Sequence, residues 1–377
     1  MEMNEELIKY IEDNKADMRQ LLLTLAGIPA PSNHEEKRAE FVRDWLTEAG
    51  AEGVYIDEAL NVIYPIGVTR DNPLTVFMAH TDVVFPDTSE LPVIVEDGKI
   101  KAPGVGDDTA NLVGLLFTAK YIAEKKILPK TGGMLIVANA GEEGLGNLKG
   151  SKEICRVYGS RIKEFTSFDG YYGGVCADAV GSKRYRVEIK TEGGHSYGAF
   201  GNRNAIAYMA SMIDSLYTMK VPNKGRTTYN VGLISGGTSV NTIAQQAEML
   251  YEYRSDNRED IAVMDAQFNA CIEYYRAKGV TVNVEILGER PCNGEIDEEK
   301  KKALVDRAVE INKKYTGKEI KMWPGSTDCN VPLSMGIPAV CYGVVDGGLA
   351  HTREEYVYED SLEVGYKIAF ESVLFYY

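Results

Sequence analysis

The chain has 377 residues, more than one typical core accommodates and enough for two or three domains. Its 44% hydrophobic content describes an ordered globular protein, and a formal charge of −15 argues against a nucleic-acid partner, because phosphate binding relies on a positive surface. No apolar run reaches the length of a membrane span, and the acidic opening Met1-Glu-Met-Asn-Glu-Glu-Leu7 lacks the basic-then-apolar pattern of an export signal. A cytoplasmic protein with no membrane partner is therefore expected.

A helix is predicted from about Asn4 to Ala26, ending before Gly27-Ile-Pro29-Ala-Pro31. Ser32 followed by Glu35 reads as a capping box for a second helix carrying Ala39, Phe41, Val42, Trp45 and Leu46. Apolar runs at Val62 to Tyr64 and Leu74 to Ala79 read as strands, and the second leads into His80-Thr-Asp82. After Pro103-Gly-Val-Gly-Asp107-Asp108, the stretch Ala110 to Glu124 is apolar at helical spacing. A buried strand, Met134 to Ala138, then leads to Ala140-Gly-Glu142-Glu143-Gly144, and Phe168-Asp169-Gly170 lies farther on. Strand, helix, strand in this order predicts a sheet with helices on its faces, whose ligand sites lie beyond the carboxyl ends of the strands. The candidate residues occupy those ends.

A second pattern begins near Lys183. A strand at Tyr185 to Lys190, a helix from Asn202 to Met219 and strands at Thr227 to Ile234 and Met249 to Arg254 come first. A helix from about Arg258 to Lys278 and a strand at Val280 to Ile286 complete it. This βαββαβ order is the ferredoxin-like signature of an α+β domain inserted into the first. The first pattern resumes after Gly294 with a helix at Glu298 to Tyr315, a strand at Ala339 to Gly343 and a last helix from about Ser361. The predicted division is 1–181, an insertion at 182–291, and 292–377. Six cysteines, Cys155, Cys176, Cys271, Cys292, Cys329 and Cys341, stand singly without CxxC spacing, so buried free thiols are expected.

Two imidazoles, His80 and His351, and several carboxylates thus gather at strand ends. Borderline metals such as zinc accept imidazole nitrogen and carboxylate oxygen, and two neighbouring cations repel unless a carboxylate is shared between them. Asp107, among glycines that allow close backbone approach, is the bridging candidate; Asp108 is second choice because adjacent side chains diverge. Glu142 and Glu143 suggest a division of labour, one ligating metal and the other holding the proton of an attacking water, which it can hand to a departing amine.

The order His80-x-Asp82, Gly106-Asp107-Asp108, Glu142-Glu143, Asp169 and His351 resembles the M20 metallopeptidase family over nearly the whole chain, closest in type to its peptidase T-like aminopeptidases and tripeptidases. The resemblance implies an α/β zinc-peptidase-like mixed sheet with helices on both faces and an inserted lid or dimerisation domain. It implies two divalent metal ions, zinc first with cobalt or manganese as alternatives. One would be held by His80, Asp107 and Asp169, the other by Asp107, Glu143 and His351. Glu142 becomes the general base and Asp82 the carboxylate that orients His80. Glu192-Gly-Gly-His195-Ser-Tyr-Gly198 resembles the family's oxyanion-stabilising histidine motif. Ser235-Gly-Gly-Thr-Ser-Val-Asn241 resembles the substrate loop, and Gly325-Ser326-Thr-Asp328 a loop lining the site. Arg254 either fixes a substrate carboxylate or pairs with a nearby acid. His34 matches no ligand position.

The chain departs from the commonest deacylase form in Thr109 after Asp107-Asp108 and in Phe85 before Pro86, which puts acyl-group specificity in doubt. The expected activity is peptidase T-like hydrolysis of small peptides by a homodimer. Deacylation of N-acyl amino acids uses the same machinery, and a non-catalytic binding protein retaining the fold is the alternative of another class.

Overall fold

The computed structural model describes residues 3–377. It forms two compact units, one comprising the chain up to Ala179 together with Gly294–Tyr377, the other Val180–Asn293. The larger unit is built on an eight-stranded mixed sheet. In spatial order its strands are Tyr55–Ile56, Val62–Ile66, Gly133–Asn139, Leu74–His80, Ile162–Phe168, Ala339–Tyr342, Gly174–Ala179 and Lys321–Gly325. The middle four, Gly133–Asn139 through Ala339–Tyr342, run parallel.

Both faces of Gly133–Asn139, Leu74–His80 and Ala339–Tyr342 are largely buried, which is why the sequence there reads as apolar runs, whereas Ile162–Phe168 keeps Lys163 exposed. Phe77, Ala79, Ile136 and Ala138 join a core covered by helices Glu5–Gly27, Glu36–Glu48, Ala110–Lys125, Glu298–Thr316 and Glu359–Leu374. Val76, Met78, Leu135 and Val137 pack on the opposite side with Ile154 of helix Lys149–Tyr158 and Leu333 of helix Asn330–Ser334. Full burial of one such side chain contributes roughly 1.5–3 kcal/mol. Sheet and helices therefore hold one another, and helices stand on both faces as expected.

Register then aligns the functional ends. His80 lies opposite Asn139 and Met78 opposite Ser167, so three neighbouring parallel strands release their chains at one edge of the sheet. A small antiparallel sheet, Gly347–Gly348, Tyr356–Tyr358, Lys99–Lys101 and Ile94–Glu96, adds a fourth and fifth chain segment there. Its pairing of Lys101 with Tyr356 sets the approach to Asp107 beside the exit from His351.

The first helix begins as read, with the Asn4 side chain accepting the Leu7 N–H. The second does not. Helix Glu36–Glu48 has no side-chain cap, because Ser32 donates to Asp82 while Glu35 accepts the Asn33 N–H and pairs with Lys149. The expected capping box is lost to these competing contacts.

The smaller unit is a four-stranded antiparallel sheet in the order Thr227–Gly236, Gln246–Ser255, Gly181–Lys190, Thr281–Arg290. Helices Ala205–Tyr217 and Arg258–Ala277 cover one face, where Tyr185, Val187, Met249 and Tyr251 bury against Met209, Met212 and Phe268. Asn204 and Asn257 cap these helices through their side chains. The other face is polar and ion-paired across strands, as in Arg186 with Glu285 at 2.9 Å. This is the ferredoxin-like order predicted from the sequence. All six cysteines are buried free thiols. Among the described residues, no helix is long and apolar enough to cross a membrane.

Candidate metal centre

The edge where the parallel strands end gathers the metal-ligand candidates read from the sequence. The Asp107 carboxylate divides its two oxygens: Oδ1 lies 3.0 Å from His80 Nε2, and Oδ2 lies 3.2 Å from His351 Nε2. Each imidazole faces a second carboxylate, Asp169 Oδ1 at 3.9 Å from His80 Nε2 and Glu143 Oε1 at 3.1 Å from His351 Nε2. Ligand atoms of His80, Asp107 and Glu143 fall within 4.8 Å of one another, as do those of His80, Asp108 and Asp169. Asp108 spends its Oδ2 on the backbone N–H of His80 at 2.8 Å. His80, Asp108 and Glu143 are buried, Asp107 and Asp169 are partly exposed, and His351, whose side chain is 57% exposed, stands at the mouth of the cluster.

This concentration of acid in a buried place perturbs its members strongly. Burial pushes the Asp169 carboxyl up to about 8, and the charge of Asp107 adds to the effect. Burial likewise raises Asp108 well above the carboxylate range, with the charges of Asp169 and Asp107 behind it. For Asp107 burial acts in the same sense, but hydrogen bonds to His351 and His80 outweigh it and hold the group well below its ordinary value. His80 is raised despite burial, by Asp108, Asp107 and Asp82, and His351 is raised to about 11 by its bonds to Asp107 and Glu143. Carboxylates outnumber the two imidazoles that face them here.

Several residues hold the cluster in place, and sequence reading assigned few of them. Asp82 is fully buried. Its Oδ1 accepts the Glu142 N–H at 3.0 Å and its Oδ2 accepts the Glu143 N–H at 3.0 Å and the Ser32 hydroxyl at 2.7 Å. It meets His80 Nδ1 at 3.4 Å through the carboxylate and at 3.0 Å through its backbone carbonyl. Arg38, also fully buried, donates to the carbonyls of Ile28 and Thr81 and so fixes the turn after His80. Asn111 ties three loops, donating to the carbonyls of Gly106 and Gly170 and accepting the Val344 N–H. Glu355 accepts the N–H groups of Gly104, Gly106 and Asp107, and burial with the charge of Asp107 lifts its carboxyl to about 7. The one local signal for Glu355 was its place four residues after His351.

The candidates of the smaller unit separate into two places. His195 and Asn241 come together, since strand pair Gly194–His195 and Thr242–Ile243 joins their segments and the Ser196 N–H donates to the Asn241 carbonyl. His195 Nδ1 accepts the N–H groups of Tyr197 and Gly198 at 3.3 and 3.2 Å, which leaves the ring proton on Nε2. Arg254 lies at the far end of strand Gln246–Ser255, bonded through two nitrogens to Glu252 at 3.1 Å. Ser326 follows strand Lys321–Gly325 and is half-buried. His34 is exposed and stands outside the cluster.

The profile of "Peptidase family M20/M25/M40" matches residues 76–374. "Uncharacterized protein YqjE" of Bacillus subtilis is 27% identical over 369 residues, covering 91% of this chain and 93% of the relative. The succinyl-diaminopimelate desuccinylase of Corynebacterium glutamicum is 25% identical over 366 residues, covering 94% and 95%. Among solved structures, a tripeptidase from Staphylococcus aureus superposes with a TM-score of 0.74 at 23% identity, covering 96% of this chain and 98% of that one. At that identity the likeness establishes the fold.

Proposed function

The chain belongs to peptidase family M20/M25/M40 and is thus a hydrolase, and from that premise we propose that it cleaves the amide bonds of small peptides with the help of two divalent cations. The observation that carries the reading is the divided carboxylate of Asp107, one oxygen toward His80 and the other toward His351. A carboxylate so placed is suited to sit between two cations. His80, Asp107 and Asp169 would hold one, and Asp107, Glu143 and His351 the other. This donor set of imidazole nitrogen and carboxylate oxygen fits zinc first, with cobalt or manganese also accommodated. The backbone carbonyl of Asp82 takes the Nδ1 side of His80, leaving its Nε2 lone pair for a ligand. Bound there, a cation pair supplies polarisation of the scissile carbonyl and lowers the pKa of water toward 7.

The chain's own groups do the rest. Glu142, the neighbour of a ligand, accepts the proton of the attacking water and returns it to the departing amine. Asp82 makes this division workable by anchoring the amides of both glutamates, so that neighbouring side chains leave one rigid turn for different tasks. His195, with its proton on Nε2, is a donor for the developing oxyanion, and Asn241 beside it contacts substrate. Ser326 is assigned to the substrate loop and Arg254 to a substrate carboxylate, for which it would exchange its bond to Glu252. A cytoplasmic homodimer completes the proposal; the outer strand Thr227–Gly236 pairs on one side only and offers an edge to a second copy.

The peptide reading is supported by the likeness to a tripeptidase and by the departures from the commonest deacylase form at Thr109 and Phe85. The full-length likeness to a desuccinylase supports the second reading, deacylation of N-acyl amino acids. Both are tested by one panel of di- and tripeptides and N-acyl amino acids presented to metal-loaded protein. Cleavage of acyl amino acids with free-amino peptides ignored refutes the first reading. In the same assay Glu142→Gln should lower kcat by about 10²–10⁴-fold while two cations per chain stay bound; unchanged turnover removes Glu142 from the proton-transfer role.

A further inference from the structure

Asp107 and His351 reach the cluster from segments far apart in sequence, and one side chain spans both. Glu355 is fully buried. Its Oε1 accepts the N–H groups of Gly106 and Asp107, each at 2.8 Å, and its Oε2 accepts the Gly104 N–H at 3.0 Å. Its backbone carbonyl accepts the Ala102 N–H at 3.1 Å, and its own N–H donates to Thr352, the residue after His351. Three donors converging on two oxygens require a group that only accepts, which among side chains means a carboxylate. A buried carboxylate beside Asp107 is costly to maintain, and the three backbone N–H groups offset that cost.

The surroundings leave that loop no slack. A Cβ added at Gly106 would lie 2.6 Å from Tyr171 Cε1, and one at Gly347 would lie 2.8 Å from the same atom. The ring therefore packs directly on the loop at Gly106 and on Gly347, within range of the Glu355 charge. With Glu355 holding the Gly106 and Asp107 N–H groups and Tyr171 packed on Gly106, the backbone of Asp107 has one seat, and the direction of its side chain follows.

Resting on the metal-centre reading above, we propose that Glu355 is a positioning residue for that centre. Its carboxylate seats the N–H groups of Gly104, Gly106 and Asp107 and thereby sets the Asp107 carboxylate with one oxygen toward His80 and the other toward His351. It also couples the two loops, so that Asp107 and His351 keep their spacing.

The test uses the full chain, stripped of metal and titrated with Zn²⁺ against a chromophoric chelator, with the visible spectrum of the Co²⁺ form as a second readout. Glu355→Gln keeps the shape but turns an NH₂ toward a backbone donor. It should weaken zinc affinity by about 10–100-fold and displace the cobalt spectrum, and Glu355→Asp should restore part of both. Wild-type affinity and spectrum in folded Glu355→Gln, whatever its melting temperature, overturn the proposal and leave Glu355 a stabilising residue only. Should Glu355→Gln fail to fold, Glu355→Asp carries the same test: a shifted spectrum with weakened binding supports positioning, and wild-type values overturn it. Failure of the wild-type protein to take up two cations instead defeats the metal-centre reading itself, which is a distinguishable result.

Discussion

Replacing Asp82 with alanine removes the acceptor of three donors at once. Two are the backbone N–H groups of Glu142 and Glu143 and one is the Ser32 hydroxyl, all meeting a carboxylate of zero exposure. A buried donor stripped of its partner costs about 1–3 kcal/mol, so the two amides alone set a range of about 2–6 kcal/mol. The vacated volume admits a water that recovers part of this, which brings the expected loss to about 3 kcal/mol. Ser32 adds little, since its hydroxyl can rotate to the Glu143 carbonyl it already approaches at 3.4 Å. Asp82→Asn keeps one acceptor oxygen and should lose less. Denaturant unfolding of the metal-free protein reads the stability, and hydrogen exchange over residues 140–144 reads the two amides directly. Zinc affinity should fall by about 10–100-fold, because the turn bearing Glu143 is no longer fixed. A variant whose Glu142 and Glu143 amides remain protected, with stability changed by less than about 0.5 kcal/mol, would show that Asp82 does not organise this turn.

Gly104→Ala meets both a left-handed backbone, φ +72°, and the Val83 Cγ1 atom 2.2 Å from the new Cβ. The conformational cost and the overlap together should destabilise the fold by about 2–4 kcal/mol in chemical denaturation; wild-type stability would refute the described loop geometry. Glu363, bonded to Lys15 and Lys367 at 2.7 Å each, is held down to about 2 by those partners. A carboxyl lowered on folding stabilises above its unfolded value near 4.5 and loses that contribution as pH falls toward about 2. Because these groups are largely solvated, Glu363→Gln should cost less than about 1 kcal/mol at neutral pH, and that cost should fade as pH falls through about 2. A gap that widens on acidification would contradict this sign.

Much of the architecture was legible because its signals are local. The run Leu74 to Ala79 is apolar on both faces only if the strand lies inside a covered sheet, and His80 terminates it. The insertion was readable because Tyr185 to Lys190 alternates as a half-buried strand does. What escaped the sequence were contacts with no local trace. Ser32 and Glu35 satisfy a helix-start pattern, yet Asp82 claims the hydroxyl from fifty residues away. Glu355 reaches Asp107 across 248 residues and looked like one acid among many. Strand Lys321–Gly325 contains Pro324 and three exposed residues before it, so neither burial nor alternation marked it; its place at the sheet margin explains why a proline is tolerated. Arg254 carried two readings, and the structure gives it a glutamate partner on its own strand.

The smaller unit begins and ends on adjacent strands, with Ser182 directly opposite Arg290. Its two connections to the rest of the chain are thus about one strand spacing apart, near 5 Å. For the polymer, the whole span Val180–Asn293 then counts as a tight turn once it has folded. Closing an equally long floppy loop would cost on the order of 4 kcal/mol by the logarithmic law of chain closure. An insert that settles first cancels most of that charge against the host, so strands Lys321–Gly325 and Ala339–Tyr342 can find their earlier neighbours as though the interruption were hardly there.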